Sequence, residues 1–299
     1  MPVLPGSVMG IAVTLHLGFK SKSTYDRWWE ARTEYGALQL YSRVWAIQVM
    51  GLVHHAHADV AAIQKDLIYR QIAIVYATIC LMRSTSHLPL ARRRRLFEGR
   101  RAVDAKSVLL SVPEIYEPFL STEECGGART RRNTPLFLLT RQAGILREMV
   151  TRGGINLTEE LVMLRTLNEI EAAQARCERI KNTPFSRQIS CFGPIFTLIF
   201  VLLVPLALLD ALVQEAIAHG LRPMMTHEFF TTLMLLSIVV SWVFIMMEKI
   251  SNSTEEPFEG GAHDVPVSAL SRAMEIELRE ALGETELPPP LAPIDNVLY

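Results

Sequence analysis

Apolar residues are spread unevenly along the chain, and this unevenness is the first structural information in the sequence. Residues 191–209 and 229–247 form two stretches of 19 residues without a charge, and residues 3–19 form a third of 17. At 1.5 Å of rise per residue each is about long enough to cross a hydrocarbon core of roughly 30 Å. This argues against an ordinary soluble domain and against a disordered or collagen-like chain. Between the apolar stretches the spacing is helical. Trp28, Ala31, Tyr35, Leu38, Ser42, Trp45 and Val49 share one face over residues 24–50, and residues 66–82 and 158–180 read similarly. No alternating run is long enough for a sheet. Residues 66–82 resemble a further span, but Lys65, Asp66, Arg70 and Gln71 cut the uncharged part short, so the segment predicts a buried bundle helix.

Proline and glycine divide the middle region, with breaks expected near Pro89, Pro113, Pro118, Gly126-Gly127, Pro135, Gly153-Gly154 and Pro184. Thr158, followed by Glu159 and Glu160, predicts a helix start, because acids in a first turn oppose the helix dipole. The expected fold is therefore all-α, with multi-pass membrane helices continuous with a cytoplasmic helical bundle. Its parts are a membrane helix at 1–19, a helical region at 20–187, two membrane helices with a short external connector at 188–247, and an acidic tail at 248–299. The last 15 or so residues of that tail are expected to lack order.

Charge supplies the orientation. The chain has 30 Lys+Arg against 31 Asp+Glu, yet residues 20–187 hold 26 bases and 17 acids while residues 248–299 hold 3 and 11. Lys20, Lys22, Arg27 and Arg32 follow the first apolar stretch, and Arg176, Arg179, Lys181 and Arg187 precede the second, so the positive-inside rule puts the middle region in the cytoplasm. The tail returns to the same side. Met1 then faces outward without a signal sequence, and an earlier spanning helix is expected ahead of it. Arg92 to Arg95, Arg100 and Arg101 have a single aromatic among them, Phe97, too little for stacking on bases, so nucleic acid is excluded as a partner in favour of lipid headgroups.

The sequence offers little for catalysis. Cys80, Cys125, Cys177 and Cys191 show no metal or disulfide spacing, and there is no P-loop, dinucleotide fingerprint, nucleophile elbow or zincin motif. His54, His55, His57 and Asp59 form the single metal-like group, and on a helix His55 and Asp59 share a face at i, i+4, too few ligands for a catalytic site. No enzyme activity and no cofactor are expected. The first apolar stretch says more. Gly10, Thr14 and Gly18 recur every four residues as a small face suited to close helix packing, and Ile11, Leu15 and Phe19 form a bulky stripe one residue on. Spacing alone leaves that stripe open to lipid, to a neighbouring helix, or to a pore ringed by several copies.

The run from Leu17, Gly18, Phe19 and Lys20 into Tyr25, Arg27, Trp28, Trp29, Glu30 and Arg32 resembles the bestrophin pattern of a pore helix leading into Tyr-x-Arg-Trp-Trp-Glu-x-Arg. Cys177 to Ile180 with Thr183-Pro184-Phe185 resembles a second bestrophin motif. Glu255 to Phe258 with Asp264-Val265-Pro266, and Ile276-Glu277 beyond, resembles a third. The resemblance implies a homopentameric ion channel for chloride and other small anions in a bacterial inner membrane. It also implies one more membrane helix ahead of the pore helix than this sequence shows. Matched residue by residue, Ile11, Leu15 and Phe19 correspond to the apolar rings of the neck, and Leu161 to the ring at the cytoplasmic aperture. Two alternatives stay open: a cation-permeable channel of the same kind, and a non-conducting membrane-anchored scaffold. Where animal members carry a calcium clasp, this chain has Gly260 and Gly261. Only Glu256 and Asp264 match as calcium candidates, a poor cage for an ion that takes six to eight oxygens.

Overall fold

The computed structural model describes residues 4–54, 60–84, 113–183, 185–218, 227–294 and 296–298. Among them are eight α-helices: α1 (Leu4–Leu52), α2 (Val60–Ser84), α3 (Thr122–Thr130), α4 (Thr134–Thr151), α5 (Leu157–Asn182), α6 (Arg187–Ala218), α7 (His227–Ser253) and α8 (Val267–Ala281). Two single 3-10 turns, Pro113–Ile115 and Glu117–Phe119, carry the expected proline breaks at Pro113 and Pro118. The breaks expected near Pro89 and Pro184 lie outside the described residues. The chain divides into two compact units, one of Met1–Trp28 with Pro184–Glu255 and one of Trp29–Thr183 with Glu256–Tyr299.

The first unit is the membrane unit. α6 and α7 hold the two stretches apolar enough to cross a membrane, Gln188–Gln214 and His227–Ser253. Two of the three expected spans are thus helical and apolar enough to cross, and the third, at 1–19, is helical from Leu4 but does not reach the same mark among the described residues. α6 accommodates Pro194 and Pro205 in its interior, as spanning helices can when neighbouring groups satisfy the freed carbonyls. The core here is small. Val13 and Leu17 of α1 bury against Phe200 and Val204 of α6, with Phe244 and Met247 of α7 packed on the cluster. Most of the remaining apolar surface is bare: 17% of the most apolar window of α6 and 11% of that of α7 are buried within the chain.

The second unit is built around α2. From Gln71 to Cys80 every residue of this helix is buried. Lys65, Asp66 and Arg70 in its first half, with Arg83 in its last turn, cut its uncharged part too short for a span and mark it as a bundle helix. The face predicted on α1 is buried as well, from Ala31 through Tyr35, Leu38, Ser42, Trp45 and Val49, with Trp28 half-buried in the membrane unit. Its polar members find partners. Trp45 Nε1 donates to the Leu67 carbonyl at 3.3 Å, Gln71 Nε2 donates to Ser42 Oγ at 2.9 Å, and Tyr35 bonds Ser271 of α8. Burial raises the Tyr35 hydroxyl well above the usual range and pushes the Cys80 thiol up to about 12.

Local signals set the ends of the shorter helices. Asn133 accepts from the Leu136 N–H with Pro135 in the first turn of α4, and Gly153 ends that helix at φ +75°. Two expectations need correction. α5 begins one residue before Thr158, because Asn156 and Glu159 form a reciprocal capping box that satisfies two first-turn donors. The Gly126-Gly127 pair is not a break but lies inside α3, which starts from a second capping box between Ser121 and Glu124. There Gly127 serves packing, since a Cβ at that position would stand 2.6 Å from Phe137 Cζ of α4.

Candidate functional site: the membrane half of α1

α1 runs unbroken for 49 residues, and its first part belongs to the membrane unit. No proline interrupts residues 19–24, and the helix runs through them, so the motif that joins the apolar stretch to the polar one is itself helical. Two faces follow from the 3.6-residue period. Val13, Leu17, Lys20 and Thr24 are buried. On the other side Ile11, Leu15 and Phe19 are 63%, 56% and 74% exposed. Three bulky side chains at successive turns therefore stand free of any contact that would cover them within the chain. Among the small residues, Gly10 meets α6, where a Cβ would come to 3.2 Å from Phe200 Cε2. Gly18 has no neighbour within 4 Å, and Thr14 is exposed.

Leu161 lies on α5 in the second unit, 53% exposed beside exposed Leu157, while Met163, Leu167 and Ile170 of the same helix are buried. Asp264 Oδ2 accepts the Gly261 N–H at 2.8 Å and so closes its own turn, with Gly260 at φ +80°. Glu259 is drawn into an ion pair with buried Lys181, and Glu256 is half-buried. Among the described residues no three His, Cys, Asp or Glu side chains converge as a metal site. Of the histidine group, His54 Nε2 lies 3.3 Å from Glu159 Oε1, and His55, His57 and Asp59 lie outside the described residues. The arginine run at 92–95, 100 and 101 lies outside them as well.

Sequence reasoning missed one feature of this helix. Lys20, a flanking charge by its position after an apolar run, is 1% exposed. Its Nζ donates to Glu248 Oε1 at 2.7 Å and to Asn252 Oδ1 at 2.6 Å, and lies 3.3 Å from Glu255 Oε1. Ser190 Oγ completes the group by donating to Glu255 Oε2 at 2.8 Å. By the helical period Lys20 continues the Val13 and Leu17 face, opposite the stripe, but that spacing does not say what its ammonium meets. An ammonium buried there is tolerable only because two carboxylates and an amide oxygen replace its water.

With bare apolar side chains outside, a buried ion-pair cluster inside and two apolar helices alongside, this unit has the layout of a membrane protein. The voltage-dependent anion channel-forming protein YneE of Escherichia coli (strain K12) is 24% identical over 292 residues, covering 97% of this chain and 80% of that protein. The voltage-dependent anion channel-forming protein mll4386 of Mesorhizobium japonicum is 24% identical over 297 residues, covering 99% of this chain and 80% of that one. The crystal structure of a bacterial bestrophin homolog from Klebsiella pneumoniae superimposes with a TM-score of 0.73 at 20% identity, covering 96% of this chain and 89% of that chain, so the fold is shared. A family description, Bacterial/Fungal Bestrophin protein, matches residues 1–280. On that match the chain belongs to the bacterial bestrophin family, a family of anion channels and not of enzymes.

Proposed function

We propose that the protein is a homopentameric, multi-pass channel of a bacterial inner membrane that lets chloride and other small anions flow passively. In this reading α1 lines the pore, with Ile11, Leu15 and Phe19 as the neck and Leu161 as a second apolar ring at the cytoplasmic aperture. The observation that carries it is the bare stripe: three large apolar side chains at successive turns, opposite a face that is fully packed. One copy cannot enclose a channel, but the same stripe repeated around an axis can. Apolar rings offer an ion no polar partner in place of its hydration shell, so such a neck is dry and closed until it widens. The excess of bases over acids in residues 20–187 favours anions on the cytoplasmic side.

The triple variant Ile11→Ala, Leu15→Ala, Phe19→Ala tests this in planar bilayers. Shorter side chains wet the neck, and a larger, leakier conductance is expected. A triple variant that assembles and conducts like the parent removes these residues from the pore. A stable monomer in native mass spectrometry overturns the oligomer, and a reversal potential that follows the cation gradient overturns the choice of ion.

A further inference from the structure

The buried cluster around Lys20 leaves two polar atoms unsatisfied, and they face the same point. Glu248 Oε1 accepts from Lys20 and, at 3.2 Å, from Asn252 Nδ2, whereas its Oε2 is buried without a hydrogen-bond partner. His16, four residues before Lys20 on α1, also has a buried Nε2 without a partner, and its ring meets Phe196 of α6 edge-on at 5.8 Å. Between them lies Gly193 of α6. A Cβ there would stand 3.1 Å from His16 Nε2 and 3.1 Å and 3.3 Å from the two oxygens of Glu248. Both atoms thus border the bare Cα of Gly193, and any residue other than glycine would push a side chain between them.

Charge makes a second, independent case. The titratable groups that meet here are His16 and Lys20 from α1, Glu248 from α7 and Glu255 just after it. Among its described side chains α6 brings Ser190 and Phe196 here, beside Gly193. Among the described side chains, one ammonium thus faces two carboxylates, and a net negative charge withdrawn from water is costly. Histidine is the side chain whose ordinary titration range can supply the missing positive charge near neutral pH.

We propose that His16 and Glu248 form a proton-binding site over Gly193, in which one water molecule bridges Nε2 and Oε2 and a single proton taken up by His16 neutralises the cluster. The proton comes from bulk water and rests on the imidazole, and no other bond changes. Because His16 follows Leu15 and Lys20 follows Phe19 on one helix, drawing α1 towards Glu248 displaces the apolar stripe, and conduction becomes pH-dependent. That last step rests on the pore reading given above, whereas the proton site does not.

Two measurements on the full chain in lipid keep these claims apart. The first follows ring-nitrogen shifts of 15N-labelled histidine against pH, with His16→Asn identifying the signal. We expect the His16 ring to pass from neutral to protonated in a single step. Gly193→Ala should shift its midpoint by about threefold or more in proton concentration. A flat His16 signal, or one that Gly193→Ala leaves in place, overturns the site. The second compares bilayer open probability at low and high pH. A change of about threefold or more in the parent, absent from His16→Asn, is expected on the same grounds. An equal response in both, or no response in the parent, overturns the coupling. No current from any variant at either pH refutes the pore reading instead, and the nitrogen shifts still decide the proton site.

Discussion

α2 and α7 are two apolar helices of nearly equal length, 25 and 27 residues, with opposite fates. In α2 every residue from Gln71 to Cys80 is buried by other helices of the chain. In α7 Met234, Ile238, Trp242 and Ile245 stand exposed along one side. Apolar content does not separate them. What separates them is the place of the charges: α2 carries Lys65, Asp66 and Arg70 in its first half, and α7 carries none between Glu228 and Glu248. A charge within a span meets hydrocarbon and has to be paired, whereas a charge at the rim of a bundle meets water or a partner. In α2 the partners are visible, with Arg70 Nε 2.6 Å from Glu124 Oε1. The membrane unit reverses the usual order, with apolar groups outside and the Lys20 ion pairs within.

The sharpest way to break that picture is to remove the buried cation. Lys20→Met leaves Glu248 and Glu255 facing each other without it. The expected loss is about 3–5 kcal/mol, as for other buried pairs deprived of one partner. Lys22→Met, two residues on, breaks only an exposed pair with Asp26 at 3.1 Å and should cost about 0.5 kcal/mol or less. Thermal unfolding in detergent measures both. Equal effects would mean that Lys20 is as solvated as Lys22.

Next in size is the direct comparison of the two helices. Ile74→Ala opens a hole where α2 has no exposed surface and should cost about 2–4 kcal/mol. Ile238→Ala on the bare side of α7 removes a side chain that touches little within the chain, with an expected cost in detergent of about 0.5 kcal/mol or less. If Ile238→Ala proves as damaging as Ile74→Ala, that side of α7 is covered by protein and not by lipid.

What the sequence made legible follows the same division. The helical face from Ala31 to Val49, the two spans and the burial of α2 were all readable, because each rests on a period or on a run bounded by charges. Lys20 was not, since a lysine just after an apolar stretch has the same local pattern whether it meets headgroups or carboxylates of another helix. Its partners lie more than 200 positions away in the chain. The Gly126-Gly127 pair misled for a related reason. Locally it reads as a break, and only the ring of Phe137 shows why a glycine is needed inside a helix. Gly127→Ala is accordingly expected to cost about 1–3 kcal/mol, while Gly126→Ala, with open space around it, should be neutral or slightly stabilising. In the candidate neck the spacing singled out Ile11, Leu15 and Phe19, but no spacing could tell lipid from pore as the medium they face.

The smallest expected effect tests the polar rim that marks α2 as a bundle helix. Lys65 and Tyr69 of α2 both reach Glu284, with Tyr69 Oη donating to Oε1 at 2.6 Å and Lys65 Nζ at 3.1 Å. Arg279 Nε donates to Oε2 at 2.6 Å from the end of α8. Partial burial alone raises the Glu284 carboxyl, but the bonds from Tyr69, Arg279 and Lys65 outweigh it and hold the group at about 2, against an ordinary 4.5. A group whose folded value is depressed stabilises the fold above its unfolded value, and that contribution fades as pH falls from about 4.5 towards about 2. Glu284→Gln keeps the shape and removes the charge. At pH 7 it should lower stability by about 1 kcal/mol, the scale of a charge-assisted hydrogen bond at a partly exposed site. The gap to the parent should close as the pH approaches 2. Melting curves of the two proteins across that interval decide it. A gap that stays constant with pH would show that Glu284 gives no more than shape to the rim, and that the charges at the start of α2 are paired less firmly than the geometry indicates.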